Sequence, residues 1–139
     1  MEVNIAATHG HVEVLKLLKE FGADISNGPL YCAARHNQLK AAEWLLEQEV
    51  EIDACRKPGS GDTPLAAAVH IGHLEMVKLL VDHGASIDMP YYREYTLLDL
   101  ACEQNQPEVA KLLIARGAKP RRGVRYQPWA RKVLEDAGL

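Results

Sequence analysis

Residues 62–87, DTPLAAAVHIGHLEMVKLLVDHGASI, set the pattern for the whole chain. A Thr-Pro pair opens an alanine-rich segment, Gly72-His73 interrupts it, and a second apolar run reaches Leu79-Leu80 before Gly84 closes it. Proline is tolerated in a helix's first turn, where the missing N–H has no helical partner. Glycine supplies the left-handed backbone that a tight turn needs. The stretch therefore predicts turn, helix, tight turn, helix and loop within 26 residues, the body of a unit that repeats about every 33.

The pattern recurs in one register. Leu17-Leu18, Trp44-Leu45, Leu79-Leu80 and Leu112-Leu113 align as anchors. Twelve residues before the second member of each pair stands an alanine (Ala6, Ala33, Ala68, Ala101), and eight before it a turn residue (Gly10, Asn37, Gly72, Asn105). Seven residues after it stands Ile25, Ile52 or Ile87, with Pro120 in the fourth unit. A chance heptad would place the leucines but not the breakers. Four helix hairpins follow, with units at about 1–25, 26–53, 54–88 and 89–120 and a terminal segment at 121–139.

In the first unit the helices are predicted at 3–9 and 11–20, and its outer side is expected to be polar, since a stack must end somewhere. The second unit has only SNGPL between Ile25 and its leading Leu30, so its projecting loop is cut short; helices follow at 30–36 and 39–47. Glu49 replaces the closing glycine there, and a left-handed conformation would cost it about 1 kcal/mol, so a different turn is expected. The third unit has a long loop containing KPGSG, then helices from Thr63-Pro64 and at 74–82. The fourth opens with MPYYREYT and continues with helices at 97–104 and 107–115. A last helix at 128–137 can turn Trp129, Val133 and Leu134 to one face and cover the fourth unit.

The T-P-L start, the unit length and the paired helices resemble the ankyrin repeat over about residues 1–120, most closely in the third unit. The resemblance implies an all-α repeat solenoid of stacked helix-turn-helix units with short β-hairpin or loop fingers. It implies a single non-catalytic scaffold domain that binds another protein or peptide on the concave face formed by fingers and first helices. By position, the finger residues are Arg56, Lys57, Ser60 and Asp62 in one unit and Tyr91, Tyr92, Arg93, Glu94 and Tyr95 in the next. The concave residues are Arg35 and His36, His70 and Ile71, and Glu103 and Gln104. At the place where the family usually carries His after T-P-L, this chain has Tyr31, Ala66 and Asp99, so the hydrogen bonds of that His are absent or remade.

Composition narrows the reading. Hydrophobic residues make up 47% of the chain and aromatic residues only 6%, so alanine and leucine carry the packing, which favours close helix layers. No run of eighteen apolar residues predicts a membrane span. The opening MEVNIAATHGH has neither the basic region nor the apolar core of a signal peptide, and a cytoplasmic protein, or a fragment of one, is expected. The three cysteines are widely spaced and expected to be reduced; Cys32 and Cys102 are assigned to packing and Cys55 to a loop where it is exposed.

Candidate chemistry outside the fingers is sparse. No nucleophile elbow, phosphate loop or dinucleotide fingerprint is present, and no His pair has zinc-ligand spacing, so no enzyme activity, cofactor or metal is expected. Asp99 and Glu103 share one helix, a spacing typical of a solvated or interface face. His11 and His73 follow the turn residue and are expected to bond between loops. Residues 1–110 carry 8 basic and 17 acidic side chains, net −9, whereas residues 111–139 carry 8 and 2, net +6. Lys119, Arg121, Arg122, Arg125, Arg131 and Lys132 could therefore be a solvated cap, meet an anionic protein, or meet nucleic acid or acidic lipid with Tyr126 and Trp129 stacking on bases. The acidic body opposes nucleic acid. Three tyrosines and an arginine within residues 91–95 are the best binding candidates, because such side chains concentrate at the energetic centres of interfaces; packing against adjacent loops is the competing role. Apolar surface near Ile5, Val12 and Val14 could support self-association, although a monomer is favoured over a homodimer.

Overall fold

The computed structural model describes all 139 residues. Its helices are α1 (Glu2–Thr8), α2 (Val12–Glu20), α3 (Pro29–Arg35), α4 (Leu39–Leu46), α5 (Pro64–Ile71), α6 (Leu74–Asp82), α7 (Leu97–Glu103), α8 (Pro107–Ala115) and α9 (Pro128–Asp136). Consecutive helices pair as hairpins from α1–α2 to α7–α8. The first helices stack α1 on α3 on α5 on α7, the second helices stack α2 to α4 to α6 to α8, and α9 packs on α8. The result is an all-α two-layer repeat.

The recurring alanine and turn residue explain the hairpins. Gly10, Asn37, Gly72 and Asn105 all have positive φ, at 71°, 55°, 88° and 55°. The residue after each donates its N–H to the recurring alanine's carbonyl: His11 to Ala6 at 2.9 Å, Gln38 to Ala33 at 2.8 Å, His73 to Ala68 at 3.0 Å and Gln106 to Ala101 at 2.9 Å. This is the left-handed helix end that Gly and Asn tolerate best. The alanines themselves are buried, so each first helix lies close to its neighbours. Leu45, Leu80 and Leu113 are fully buried, and Leu18, at the end of the stack, is partly buried. Glu49 keeps a negative φ, and α4 ends through right-handed Glu47 instead.

A second set of bonds joins unit to unit. Gln38 Nε2 donates to the Thr8 carbonyl at 2.9 Å, His73 Nε2 to that of Arg35 at 3.3 Å, and Gln106 Nε2 to that of His70 at 3.3 Å. The same register position thus satisfies the carbonyl at the end of the preceding first helix. His73 bonds as expected. His11 does not; its ring stacks on that of His9, with centroids 5.8 Å apart.

Three further expectations are corrected. The outer side of the first unit is apolar: Ile5, Val14, Leu17 and Phe21 are exposed, Phe21 at 83%, because nothing in the chain packs on that side of α1 and α2. Cys55 is half-buried, with its Sγ 4.0 Å from Met89 Sδ under the fourth unit's finger. Asp99 is not solvated; it is 4% exposed and holds the terminal segment in place. Its Oδ1 accepts from the Tyr126 hydroxyl at 2.7 Å and its Oδ2 from Arg121 Nε at 2.5 Å and the Thr96 N–H at 2.9 Å. The Thr96 hydroxyl accepts from the Asp99 N–H at 3.1 Å, completing a capping box. Asp99 thereby replaces the hydrogen bonds that the family's His would supply in this unit. Behind it, α9 buries Ala130 and Leu134 and partly covers Trp129.

Candidate functional site

The fingers are loops rather than ribbons; their one β-bridge joins Tyr91 to Tyr95. In the third unit's finger the Arg56 N–H donates to the Asp62 carbonyl at 3.1 Å, and in the fourth the Tyr91 N–H donates to that of Tyr95 at 2.7 Å. The two fingers are locked together, since the Tyr92 N–H donates to the Ser60 carbonyl at 2.9 Å. Gly61, at φ 69°, lies so close to the fourth finger that a Cβ on it would stand 2.0 Å from the Pro90 carbonyl oxygen. Tyr92 and Arg93 form the tip and have φ of 44° and 68°. Two consecutive left-handed non-glycine residues hold about 1 kcal/mol or more of strain each, and such strain is stored where a loop is held in one shape.

The second unit has no finger. The Ser26 N–H and hydroxyl fold onto Asp24 Oδ1, and α3 starts directly at Pro29. Tyr31 therefore reaches across to the third unit's finger, where its hydroxyl donates to Asp62 Oδ2 at 3.3 Å and the Arg56 guanidinium lies over its ring at 5.4 Å. Tyr31, Arg35, Arg56, Asp62, Ala67, His70, Tyr91 and Tyr92 line an open cavity of about 240 Å³ at this junction. The Tyr91 and Tyr92 rings meet edge to face at 4.5 Å. Burial first, then Asp62 and the neighbouring tyrosines, push the Tyr91 hydroxyl above its usual range, so it stays protonated.

The structure thus brings together Arg35, Arg56, Asp62, His70, Tyr91 and Tyr92. His36, Ile71 and Gln104 stand exposed at the ends of the first helices. Lys57 and Arg93 are exposed on the fingers but do not line the cavity. Tyr95 and Glu103 are placed differently. The Tyr95 hydroxyl bonds Glu103 Oε2, and the Arg121 guanidinium lies over the Tyr95 ring at 5.6 Å. Both residues belong to a smaller cavity of about 130 Å³ against the terminal segment. Tyr31 and Ala67 are the lining residues that sequence reasoning missed. The available signal was register, because Tyr31 stands at the position of Asp99, and both bond to the segment that follows.

No group of three or more His, Cys, Asp or Glu side chains converges as metal ligands. No helix is long and apolar enough to cross a membrane. In the basic segment, Arg121 and Tyr126 are committed to Asp99, leaving Lys119, Arg122, Arg125, Arg131 and Lys132 exposed.

A family model for three copies of ankyrin repeats matches residues 50–123, and one for many copies matches residues 4–46. A probable E3 ubiquitin-protein ligase XBOS32 of Oryza sativa subsp. japonica is 34% identical over 102 residues, covering 73% of this chain and 21% of that protein. The human ankyrin repeat and SOCS box protein 11 is 29% identical over 117 residues, covering 80% and 35%. A transient receptor potential cation channel subfamily A member 1 homolog of Caenorhabditis elegans is 29% identical over 123 residues, covering 84% and 10%. The chain spans only 10% to 35% of the length of these three relatives, of which one is named as a ligase and another as a channel.

Proposed function

Because the chain belongs to the ankyrin-repeat family, a fold that serves as a non-catalytic scaffold for protein–protein interaction, we propose that it binds a protein or extended peptide across its concave and finger face. The observation that carries this reading is the locked finger pair. The tip residues Tyr92 and Arg93 are exposed, yet their backbone is fixed by the Tyr92–Ser60 bond and the close approach at Gly61. A rigid exposed aromatic tip loses little entropy on contact. Tyr91, Arg56 and His70 flank it, with Arg35, His36 and Ile71 extending the face. Tyr95 and Glu103 support the finger from behind. Quantitative affinity capture with Tyr92→Ala/Arg93→Ala tests the reading. Loss of partners captured by the wild type, from a variant with unchanged circular dichroism, is expected. Undiminished recovery of every partner refutes it.

A second reading, self-association, rests on the exposed Ile5, Val14, Leu17 and Phe21 of the first unit. Light scattering at high concentration separates the two, since a monomer of 15.4 kDa removes the dimer.

A further inference from the structure

The cavity between the missing finger and the locked pair has a charge pattern that identifies what it accepts. Arg35 and Arg56 both line it, and neither forms an ion pair within the chain. The one carboxylate present, Asp62, already accepts the Tyr31 hydroxyl. Tyr31 holds the Arg56 guanidinium by stacking, and Tyr91 and Tyr92 supply a second aromatic wall. His70 completes the polar lining. Arg35 and Arg56 against Asp62 leave the pocket one formal positive charge in excess, on a body whose residues 1–110 carry net −9. A single carboxylate matches that excess. A dianionic phosphate would overcompensate it beside Asp62, and the acidic body opposes a nucleic-acid backbone. Arg35 and Arg56 are exposed at its rim, so an extended chain can lie across it.

We propose that this cavity receives the one Asp or Glu side chain of an extended, otherwise uncharged peptide, paired with Arg35 and Arg56 between the tyrosine walls, since the acidic body repels a peptide of many carboxylates. This rests on the concave-face reading above and specifies its partner. Arginine forks pair with carboxylates in two-bond geometry, and charge-assisted bonds of this kind exceed neutral ones in strength.

The test is selection of a displayed random-peptide library on the full chain, followed by affinity measurements with the best synthetic peptide. Selected peptides are expected to share one acidic position. Arg35→Gln and Arg56→Gln should each weaken binding about ten-fold, as should Glu→Gln in the peptide. Arg131→Gln on α9 should leave it unchanged, and added salt should weaken it. Selected peptides without a shared carboxylate, or indifferent to both arginine substitutions, overturn the proposal. So does stronger binding when phosphoserine replaces the acidic residue, or loss of binding on Arg131→Gln. If such peptides still depend on Tyr92, the concave-face reading survives; if none binds the folded chain, or none depends on Tyr92, that reading fails too.

Discussion

Replacing Asp99 by alanine should loosen one end of the molecule far more than the other. The carboxylate is 4% exposed and accepts from the Thr96 N–H, the Tyr126 hydroxyl and Arg121 Nε, so its removal leaves three donors without a partner. Removing one member of a fully buried ion pair costs roughly 3–5 kcal/mol. The Arg121 side chain is 33% exposed and can turn to water, which puts the expected loss near the low end, about 3 kcal/mol. For a chain of this length that lowers the melting temperature by about 10 °C. Repeat arrays need not unfold in one step, so the location of the effect is as informative as its size. Hydrogen exchange should accelerate in α7, α8 and α9 and remain near wild type in α1 to α4. The acid side offers an independent check. Burial alone would push the Asp99 carboxyl up, but the Thr96, Tyr126 and Arg121 hydrogen bonds hold it below the ordinary 3.8. A depressed carboxyl contributes stability that is present above its unfolded value and is lost as pH falls through the folded one. Asp99→Asn should therefore show a shallower loss of stability below about pH 4 than the wild type. A melting temperature within 2 °C of wild type for Asp99→Ala, or exchange that rises evenly along the chain, refutes the reasoning.

Gly61→Ala should be destabilised by about 1–3 kcal/mol in denaturant titration, because its Cβ meets the Pro90 carbonyl oxygen at a left-handed φ. It should also weaken any ligand that depends on the finger pair. The Tyr126 hydroxyl is pushed up to about 12, first by burial and then by its bond to Asp99. Its contribution is complete below the unfolded value near 10 and is lost as pH rises through about 12, so Tyr126→Phe should show a flatter alkaline decline in melting temperature. Burial, and then Asp99, push the Cys102 thiol up to about 11, so mass spectrometry after brief alkylation at neutral pH should find Cys102 modified last, after Cys32 and Cys55.

The stack was legible because its determinants are local and repeat. Ala33 and Asn37 announce the same turn as Ala68 and Gly72, and each helix found lies within a residue or so of its expected span. What escaped sequence reading depends on residues distant in the chain. Asp99 looks like the start of a solvated acidic face until Arg121 and Tyr126, 22 and 27 residues on, close over it. Gln38 and Gln106 stand at the register of His73, but the carbonyls they meet lie 30 and 36 residues back. The candidate site was half legible. Positional analogy with the family placed Tyr91, Tyr92 and Arg56 together, whereas Tyr31, at the register of Asp99, joined them through a partner, Asp62, that lies 31 residues on. Tyr95 carried the same aromatic signal as Tyr92, yet its hydroxyl is engaged by Glu103 from the helix behind it.

The backward-reaching side chains at Gln38, His73 and Gln106 give the stack a direction. From the second segment on, each brings its own hook for the eye behind it, so this part of the joint repeats unchanged. The fingers do not repeat, because Gly61 is fitted to Pro90; a spare module copied from residues 54–88 and spliced in after itself should hook on, yet need its finger redrawn before the gripping surface gains a rung.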